Sequence, residues 1–86
     1  MSKPIKEQDI KILVSMLYNK HGKLALTPEE TALEVNRSEA SLKLDREKNE
    51  GIPYTRINNK DKGKPLYNIT TIARVLIDNE VKLFNN

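Results

Sequence analysis

The sequence has no cysteine, no tryptophan and one histidine among its 86 residues. The missing thiols exclude disulfides, thiolate chemistry and cysteine-bound metal sites. His21 has no second histidine or cysteine with which to form a metal site or a nucleophile–base pair. The three glycines stand apart from one another, so there is no glycine-rich phosphate loop. We therefore expect a protein that is not an enzyme and that carries no metal or cofactor.

Long apolar runs are absent as well. No stretch approaches the ~20 apolar residues that a membrane-spanning helix needs, and the first residues, MSKPIKEQ, lack the apolar region of a signal peptide. The chain is 37% hydrophobic and 31% charged, which is typical of a small soluble domain. These features, with the absence of cysteine, predict a single cytoplasmic domain over residues 1–86 that makes no membrane contact.

Positive charge is concentrated in two parts of the chain. The net charge of +3 comes from 15 basic and 12 acidic side chains. Residues 1–26 hold five lysines and two acids, and residues 52–69 hold four bases and one acid. An ordinary solvated surface and a footprint that follows nucleic-acid phosphates both fit this distribution.

The segment TPEETALEV, residues 27–35, carries a complete helix-start signal. Thr27 is a strong N-cap, Pro28 suits the first helical position, and Glu30 stands where a capping box places its acid. These residues predict a helix from Pro28 to about Val35. The side chains predicted to face the core are Ala32, Leu33 and Val35.

A second helix is predicted after the turn Asn36-Arg37-Ser38. Asparagine tolerates the left-handed backbone with which many helices end, and Ser38 can cap the next helix. That helix is predicted from Glu39 to about Asn49, with Leu42 facing the core. The outward side chains are then Ala40, Lys43, Leu44 and Glu47. Helix, short polar turn and capped helix form the helix-turn-helix pattern over residues 27–49.

Apolar residues recur at helical spacing earlier in the chain, between Pro4 and Lys20. The stripe consists of Ile10, Leu13, Val14 and Leu17. Ile12 and Met16 lie off it, one turn apart. They either widen the core face or form a second face that binds a partner, and the small size of the protein favours a wide core face. With Gly22 as C-cap, residues 1–22 are predicted to form an extra N-terminal helix.

Short strands are predicted on both sides of the helix pair. Lys23–Leu26 is the first, with apolar alternation at Leu24 and Leu26. Ile52–Ile57 and Pro65–Ile69 enclose the polar turn Asn58–Lys64. They give a hairpin over residues 52–69 with a basic tip, that is, a wing. A closing helix over residues 70–82 follows, capped by Asn68 or Thr70, and its core stripe is Ile72, Val75, Leu76 and Leu83.

The elements together predict an α+β fold that is mostly α, in the order helix, strand, helix, helix, strand, wing, strand, helix of a winged helix-turn-helix domain. LTPEETALEVNRSEASL resembles the opening of the excisionase-like and MerR-like winged helix-turn-helix families. GIPYTRI and KPLYNITTIARVL resemble their hairpin and closing helix. The resemblance covers residues 24–77. It implies a small transcriptional regulator or recombination accessory protein of the kind encoded on phage-like or mobile DNA.

Four residues depart from the family pattern. Glu34 stands where the family has an apolar residue and Leu33 where it has a polar one, which fits a first helix that is rotated or displaced by one residue. Glu39 and Glu47 place acids on the second helix. They either lower the affinity for DNA or allow a carboxylate to read cytosine N4. The same acids fit the alternative function, a winged-helix protein–protein interaction module without DNA binding.

For DNA binding, we expect the second helix to enter the major groove and the wing to follow the backbone or minor groove of double-stranded DNA. Ser41 and Lys43 are candidates for base or adjacent phosphate contacts. Leu44 either packs on the hairpin or, like Ala40, contacts a thymine methyl. The full set of DNA-binding candidates is Arg37, Ser38, Ser41, Lys43, Arg46, Lys48, Arg56, Asn58, Asn59, Lys60, Lys62 and Lys64.

Two further alternatives concern Arg46 and the partners of the whole domain. Because Arg46 lies near Leu42 on the helical wheel, an internal ion pair with Asp45 or Glu30 is as consistent with the sequence as a phosphate contact. One such module would bind weakly, so a homodimer or side-by-side copies on DNA would supply affinity and could bend the duplex. An integrase or another protein is the further partner that an excisionase role implies.

Overall fold

The computed structural model describes residues 3–56 and 63–79. In chain order their elements are α1 (Lys3–His21), β1 (Ala25–Leu26), α2 (Pro28–Val35), α3 (Glu39–Glu47), β2 (Thr55–Arg56), β3 (Pro65–Asn68) and α4 (Ile69–Asp78). This confirms the predicted order of helices and strands for the described part of the chain. The predicted wing tip, with Asn58, Asn59, Lys60 and Lys62, lies outside the described residues, as does Leu83.

The predicted stripe of α1 faces the core and α4. Leu17 is buried, and the other stripe residues, from Ile10 to Val14, are partly buried against the same cluster. The expectation that Ile12 and Met16 widen this core face is wrong, because both side chains are 59% exposed. They lie more than about 100° from the centre of the stripe, beyond the sector of a helix that one packed face covers.

The link between α1 and α2 is fixed by a glycine and a capping box. Gly22 has φ +70°, and its N–H donates to the Tyr18 carbonyl at 2.7 Å, which ends α1 as predicted. At the start of α2, the Glu30 N–H donates to Thr27 Oγ1 at 3.2 Å. The Thr27 N–H donates in return to Glu30 Oε1 at 2.9 Å. The predicted capping box is therefore confirmed.

β1 is shorter than the predicted strand. Its pairing begins at Ala25, and Leu26 is fully buried. Leu24 precedes the paired residues and is 69% exposed, so the expected alternation of Leu24 with Leu26 is wrong. A side chain outside the ladder is not held on the face that the strand pleat would give it.

α2 turns a different face inward from the one predicted. Thr31 and Ala32 are buried and Val35 is half-buried, but Leu33 is 80% exposed, and its prediction as a core residue is wrong. At ~100° per residue, the three inward residues share one face and Leu33 points about 150° away from its centre. The buried Thr31 hydroxyl has no hydrogen-bond partner within the described residues.

The turn from α2 into α3 has the predicted geometry. Asn36 adopts the left-handed conformation, with φ 58° and ψ 46°. Ser38 Oγ accepts the Ser41 N–H at 3.0 Å and so caps α3. Leu42 is 1% exposed and anchors α3 in the core. The helix ends before the predicted Asn49, which has φ 56°.

The three strands form one antiparallel sheet in the order β1-β3-β2. The paired residues are Ala25 with Asn68, Leu26 with Tyr67, Thr55 with Leu66, and Arg56 with Pro65. β2 begins later than the sequence predicts. Ile52 is buried, but the following Pro53 has no N–H to donate to a ladder, and pairing starts beyond it.

α4 begins without a side-chain cap. Asn68 occupies the N-cap position but makes no capping hydrogen bond. The Ile69 N–H instead donates to the Leu24 carbonyl at 3.0 Å, which joins the start of α4 to the segment before β1. The predicted stripe is confirmed for the described residues, since Ile72 is buried and Val75 and Leu76 pack against the core.

The result is a small α+β fold, mostly helical, with four helices and a three-stranded antiparallel sheet in the described residues. Its core is made of side chains from all four helices, from β1 and β3, and from Ile52. Across residues 3–56 and 63–79, no helix combines the length and the apolar character that crossing a membrane requires.

Candidate nucleic-acid interface

The outer face of α3 is open to solvent. Ala40, Lys43 and Glu47 are exposed, as the sequence predicts. Leu44, on the same side, is 50% exposed, so the hairpin does not cover it fully. The opposite side carries the buried Leu42. α3 is thus held by one face and presents the other to solvent.

The start of α3 is tied down by side chains of the preceding turn. Arg37 Nη1 lies 2.8 Å from Asp45 Oδ2, and Arg37 Nη2 donates to Ser41 Oγ. The Ser38 hydroxyl is occupied by the Ser41 N–H at 3.0 Å. These three predicted DNA-binding residues are brought together, but the contacts they show position the helix.

A cationic cleft of about 220 Å³ lies beside α3. It is lined by Lys43, Arg46 and Glu47 from α3, by Arg56 from β2 and by Pro65 from β3. Three of these side chains are basic and one is acidic. The cleft therefore connects the outer face of α3 to the two strands of the predicted hairpin, and three predicted DNA-binding residues meet there.

Two tyrosines hold the arginines of this cleft. Arg46 Nη1 donates to Tyr67 Oη at 2.8 Å. The Arg46 Cζ lies 5.9 Å from the centroid of the Tyr54 ring, and the Arg56 Cζ lies 5.3 Å from the same centroid. The two rings are themselves in contact, with centroids 6.1 Å apart and planes inclined by 49°. Arg56 is further fixed by donating from Nη1 to the Gly63 carbonyl at 2.7 Å.

The internal partner of Arg46 is a tyrosine hydroxyl and not Asp45 or Glu30. Asp45 is paired with Arg37, and Glu30 Oε2 lies 2.9 Å from Lys23 Nζ. Among the residues that the structure describes, no carboxylate lies within 4.0 Å of the Arg46 or Arg56 guanidinium. Both charges of the cleft arginines are therefore left without an acidic partner in this part of the chain.

The other predicted contacts are more dispersed. Lys48 is the C-cap residue of α3, and Lys64 directly precedes β3; both are exposed. Glu39 is exposed in the first turn of α3, and Glu47 lines the cleft. The outer face of α3 thus has mixed charge, and its described cations cluster where α3 meets the strands.

Tyr54 and Tyr67 are the residues of this surface that sequence reasoning missed, since it used them only as strand formers. A signal was present, because Arg56 stands two residues after Tyr54 in a predicted strand, where both side chains lie on the same face and can form a cation–π contact. The Arg46–Tyr67 contact joins residues 21 positions apart. Only the folded chain shows that pairing.

Away from the cleft, Glu34 joins α1 to α2. Glu34 Oε2 lies 2.7 Å from Lys20 Nζ and 2.9 Å from His21 Nε2. The hydrogen bond from Lys20, followed by that from His21, lowers the pKa of Glu34 below its ordinary value of 4.5 against the opposing effect of partial burial. Glu34 is therefore an ion-paired acid at the contact between α1 and α2.

The described residues contain no group of three or more His, Cys, Asp or Glu side chains placed to hold a metal ion. The chain matches no protein-family model, no curated protein and no solved structure.

Proposed function

We propose that this protein binds double-stranded DNA sequence-specifically as a winged helix-turn-helix domain, in the manner of a small phage- or mobile-element-type transcriptional regulator or an excisionase-like recombination accessory protein. One observation carries the proposal: the open outer face of α3 continues into a cleft where Lys43, Arg46 and Arg56 meet. α2 and α3 would then be the helix-turn-helix pair, and β2 and β3 the strands of the wing.

The proposed mechanism uses α3 to read bases. A major groove about 12 Å wide admits a single helix, and α3 offers one that is anchored only on its inner side. Lys43 would contact a base edge or the adjacent phosphate. Leu44 and Ala40 would offer apolar surface to a thymine methyl, and Glu39 or Glu47 would accept from cytosine N4.

The hairpin would supply sequence-independent affinity. Arg56 lies on β2 and Lys64 beside β3, while the predicted tip cations Lys60 and Lys62 fall outside the described residues. Together with α3 they would neutralise about four to six phosphates, which gives a steep dependence of affinity on salt.

A single domain of this size is expected to bind DNA with modest affinity, so we propose that several copies bind together. A homodimer, or copies bound side by side on repeated sites, would raise affinity and could bend the duplex. In an excisionase role, an integrase would be the protein partner.

To test whether α3 contacts the bases, we compare two variants that each remove one lysine charge. The DNA is the duplex sequence that wild-type protein enriches from a random pool. Lys43→Gln is expected to weaken binding to it by about 1–3 kcal/mol, because Lys43 lies on the proposed reading face. Lys11→Gln, at an exposed position on α1, should leave the Kd nearly unchanged. Equal Kd values for the two variants in a fluorescence-anisotropy titration would contradict the assignment.

A second candidate function is a winged-helix protein–protein interaction module. The observation that favours it is the composition of the α3 face, where the acids Glu39 and Glu47 are exposed beside the half-exposed Leu44. Acids repel phosphates, whereas an apolar side chain rimmed by mixed charge suits a protein surface. A folded wild-type protein that binds no duplex DNA at low salt would favour this function.

A further inference from the structure

We propose that the cleft between α3 and the strands binds one phosphodiester group of the DNA backbone. Arg46 and Arg56, which both lie against the Tyr54 ring, would hold that group. Tyr67 is the residue that positions Arg46. The inference rests on the proposed DNA binding and adds to it a defined ligand group and two tyrosines.

The cleft has an excess of positive charge, which favours the binding of an anion. Two guanidinium groups lie within 6 Å of the centroid of one tyrosine ring, at 5.9 Å and 5.3 Å. The negative face of an aromatic ring attracts a cation, but it does not neutralise two. Glu47 lines the same cleft, yet no described carboxylate comes within 4.0 Å of either guanidinium. A phosphodiester group entering the cleft would supply the missing negative charge.

The donors of both arginines suit a phosphate. Each guanidinium has five N–H donors in a planar fork that matches the spacing of phosphate oxygens. The contacts seen in the described residues use Nη1 of Arg46 on Tyr67 and Nη1 of Arg56 on the Gly63 carbonyl. The Nε–H and Nη2 donors have no partner in this part of the chain and are left for a ligand.

The arginines are also held in place before any ligand arrives. Arg46 is fixed by the hydroxyl of Tyr67, whose side chain is buried, with 1% of the residue exposed. Arg56 is fixed by a backbone carbonyl. An arginine that is already ordered loses less side-chain entropy on binding, which distinguishes this pair from free surface lysines.

The experiment measures how DNA affinity depends on salt for the wild-type protein and its variants. Fluorescence anisotropy with a labelled duplex gives the slope of log K against log salt for the wild-type protein, Arg46→Gln, Arg56→Gln, the double variant and Arg74→Gln. Arg74 is the matched control, because it is an exposed arginine that lies with Glu7 and Lys11 on the α1–α4 side of the molecule.

Each lost phosphate contact reduces the magnitude of the slope by about 0.9. We expect the double variant to lower it by about 0.9 and each single variant to lower it by less, because the remaining arginine still holds the same phosphate. Arg74→Gln should keep the wild-type slope. Tyr67→Phe should shift the slope toward that of Arg46→Gln, an effect that a loss of packing alone does not produce.

Three results would overturn the inference, and they are distinguishable. A slope for the double variant equal to that of Arg74→Gln would rule out the phosphodiester site while leaving DNA binding in place. A fall of about 1.8 in the double variant would mean two separate phosphates. Failure of the wild-type protein to bind any duplex would remove the proposed function itself. If Arg46→Gln does not fold, Arg56→Gln decides, since it leaves the Arg46–Tyr67 bond intact. A weaker affinity with a fall of less than about 0.9 in the slope would support the shared phosphate, whereas a full fall of about 0.9, or an affinity equal to that of Arg74→Gln, would overturn it.

Discussion

The residues around Asp45 decide where α3 ends and how the chain turns toward the core. Asp45 Oδ2 pairs with Arg37 at 2.8 Å, and its carbonyl accepts the Glu50 N–H at 2.9 Å. Gly51 has φ +85°, and a Cβ built there would lie 2.6 Å from Asp45 Oδ2 and 2.8 Å from Asp45 Cβ. The Arg37 ion pair, the end of α3 and the Gly51 turn are therefore one packed unit.

This packing makes Gly51 far less replaceable than Gly22. Gly51→Ala combines the left-handed backbone cost, about 1–2 kcal/mol, with the collision against Asp45. Gly22→Ala meets only the backbone cost, because Gly22 has φ +70° and nothing within 4 Å of its Cβ position. We expect Gly51→Ala to lower the free energy of unfolding by more than Gly22→Ala in a denaturant titration. Equal losses would contradict the close approach.

Residues whose partners are close in sequence were the predictable ones. Thr27, Glu30, Asn36 and Ser38 act through contacts three or four positions away, and their capping roles are confirmed. The tyrosine contacts of Arg46 were not predictable in this way. They depend on how β3 lies against α3, which no local spacing encodes.

At the scale of elements, the Glu34 ion pairs fix α1 against α2. Lys20 and His21 belong to the last turn of α1, while Glu34 lies near the end of α2. The exposed fractions of the His21 and Glu34 side chains are 12% and 15%, so solvent screens this contact less than a surface pair. It joins the extra N-terminal helix to the helix pair that carries the proposed interface.

The lowered pKa of Glu34 predicts a defined pH dependence. A carboxyl group whose pKa is lower in the folded than in the unfolded protein stabilises the fold above the unfolded pKa and loses that contribution as pH falls through the folded value. Glu34→Gln should therefore cost about 1 kcal/mol near pH 7. The difference from wild type should shrink below about pH 4.5.

Glu50→Gln is the control for this measurement, because Glu50 is exposed in the loop after α3. Near pH 7 it should lower the free energy of unfolding by less than Glu34→Gln does. A Glu34→Gln deficit that persists unchanged at pH 3 would contradict the ion-pair explanation.

The boundaries of the capped helix α2 followed from the sequence better than its inward face did. The bounds of α2 are the predicted ones, because caps fix them locally. The inward face of a short helix depends on its neighbours, and α2 packs against β1, β3, α3 and α4. That environment buries Thr31 and exposes Leu33, which hydrophobicity alone does not predict. Ile12 and Met16 show the same limit in α1.

At the scale of the whole molecule, the sheet joins the strand that precedes the helix pair to the two strands that follow it. β3 pairs with β1 on one side and β2 on the other, so the strand before α2 and the strands after α3 are parts of one sheet. This arrangement brings Tyr54, Arg56 and Tyr67 to α3 although they follow it in sequence. The proposed interface is therefore a product of the sheet register as much as of the helices.

The most direct test of the proposed function is a titration of labelled duplexes with the wild-type protein at several salt concentrations. The duplex that the protein enriches from a random pool is compared with a scrambled duplex of the same length and composition. We predict tighter binding to the enriched duplex and a slope of log K against log salt of about −3.6 to −5.4, which corresponds to four to six neutralised phosphates. Absence of binding at low salt, or equal affinity for both duplexes with a slope near zero, would contradict the proposal that α3 and its neighbouring strands form a DNA-binding surface.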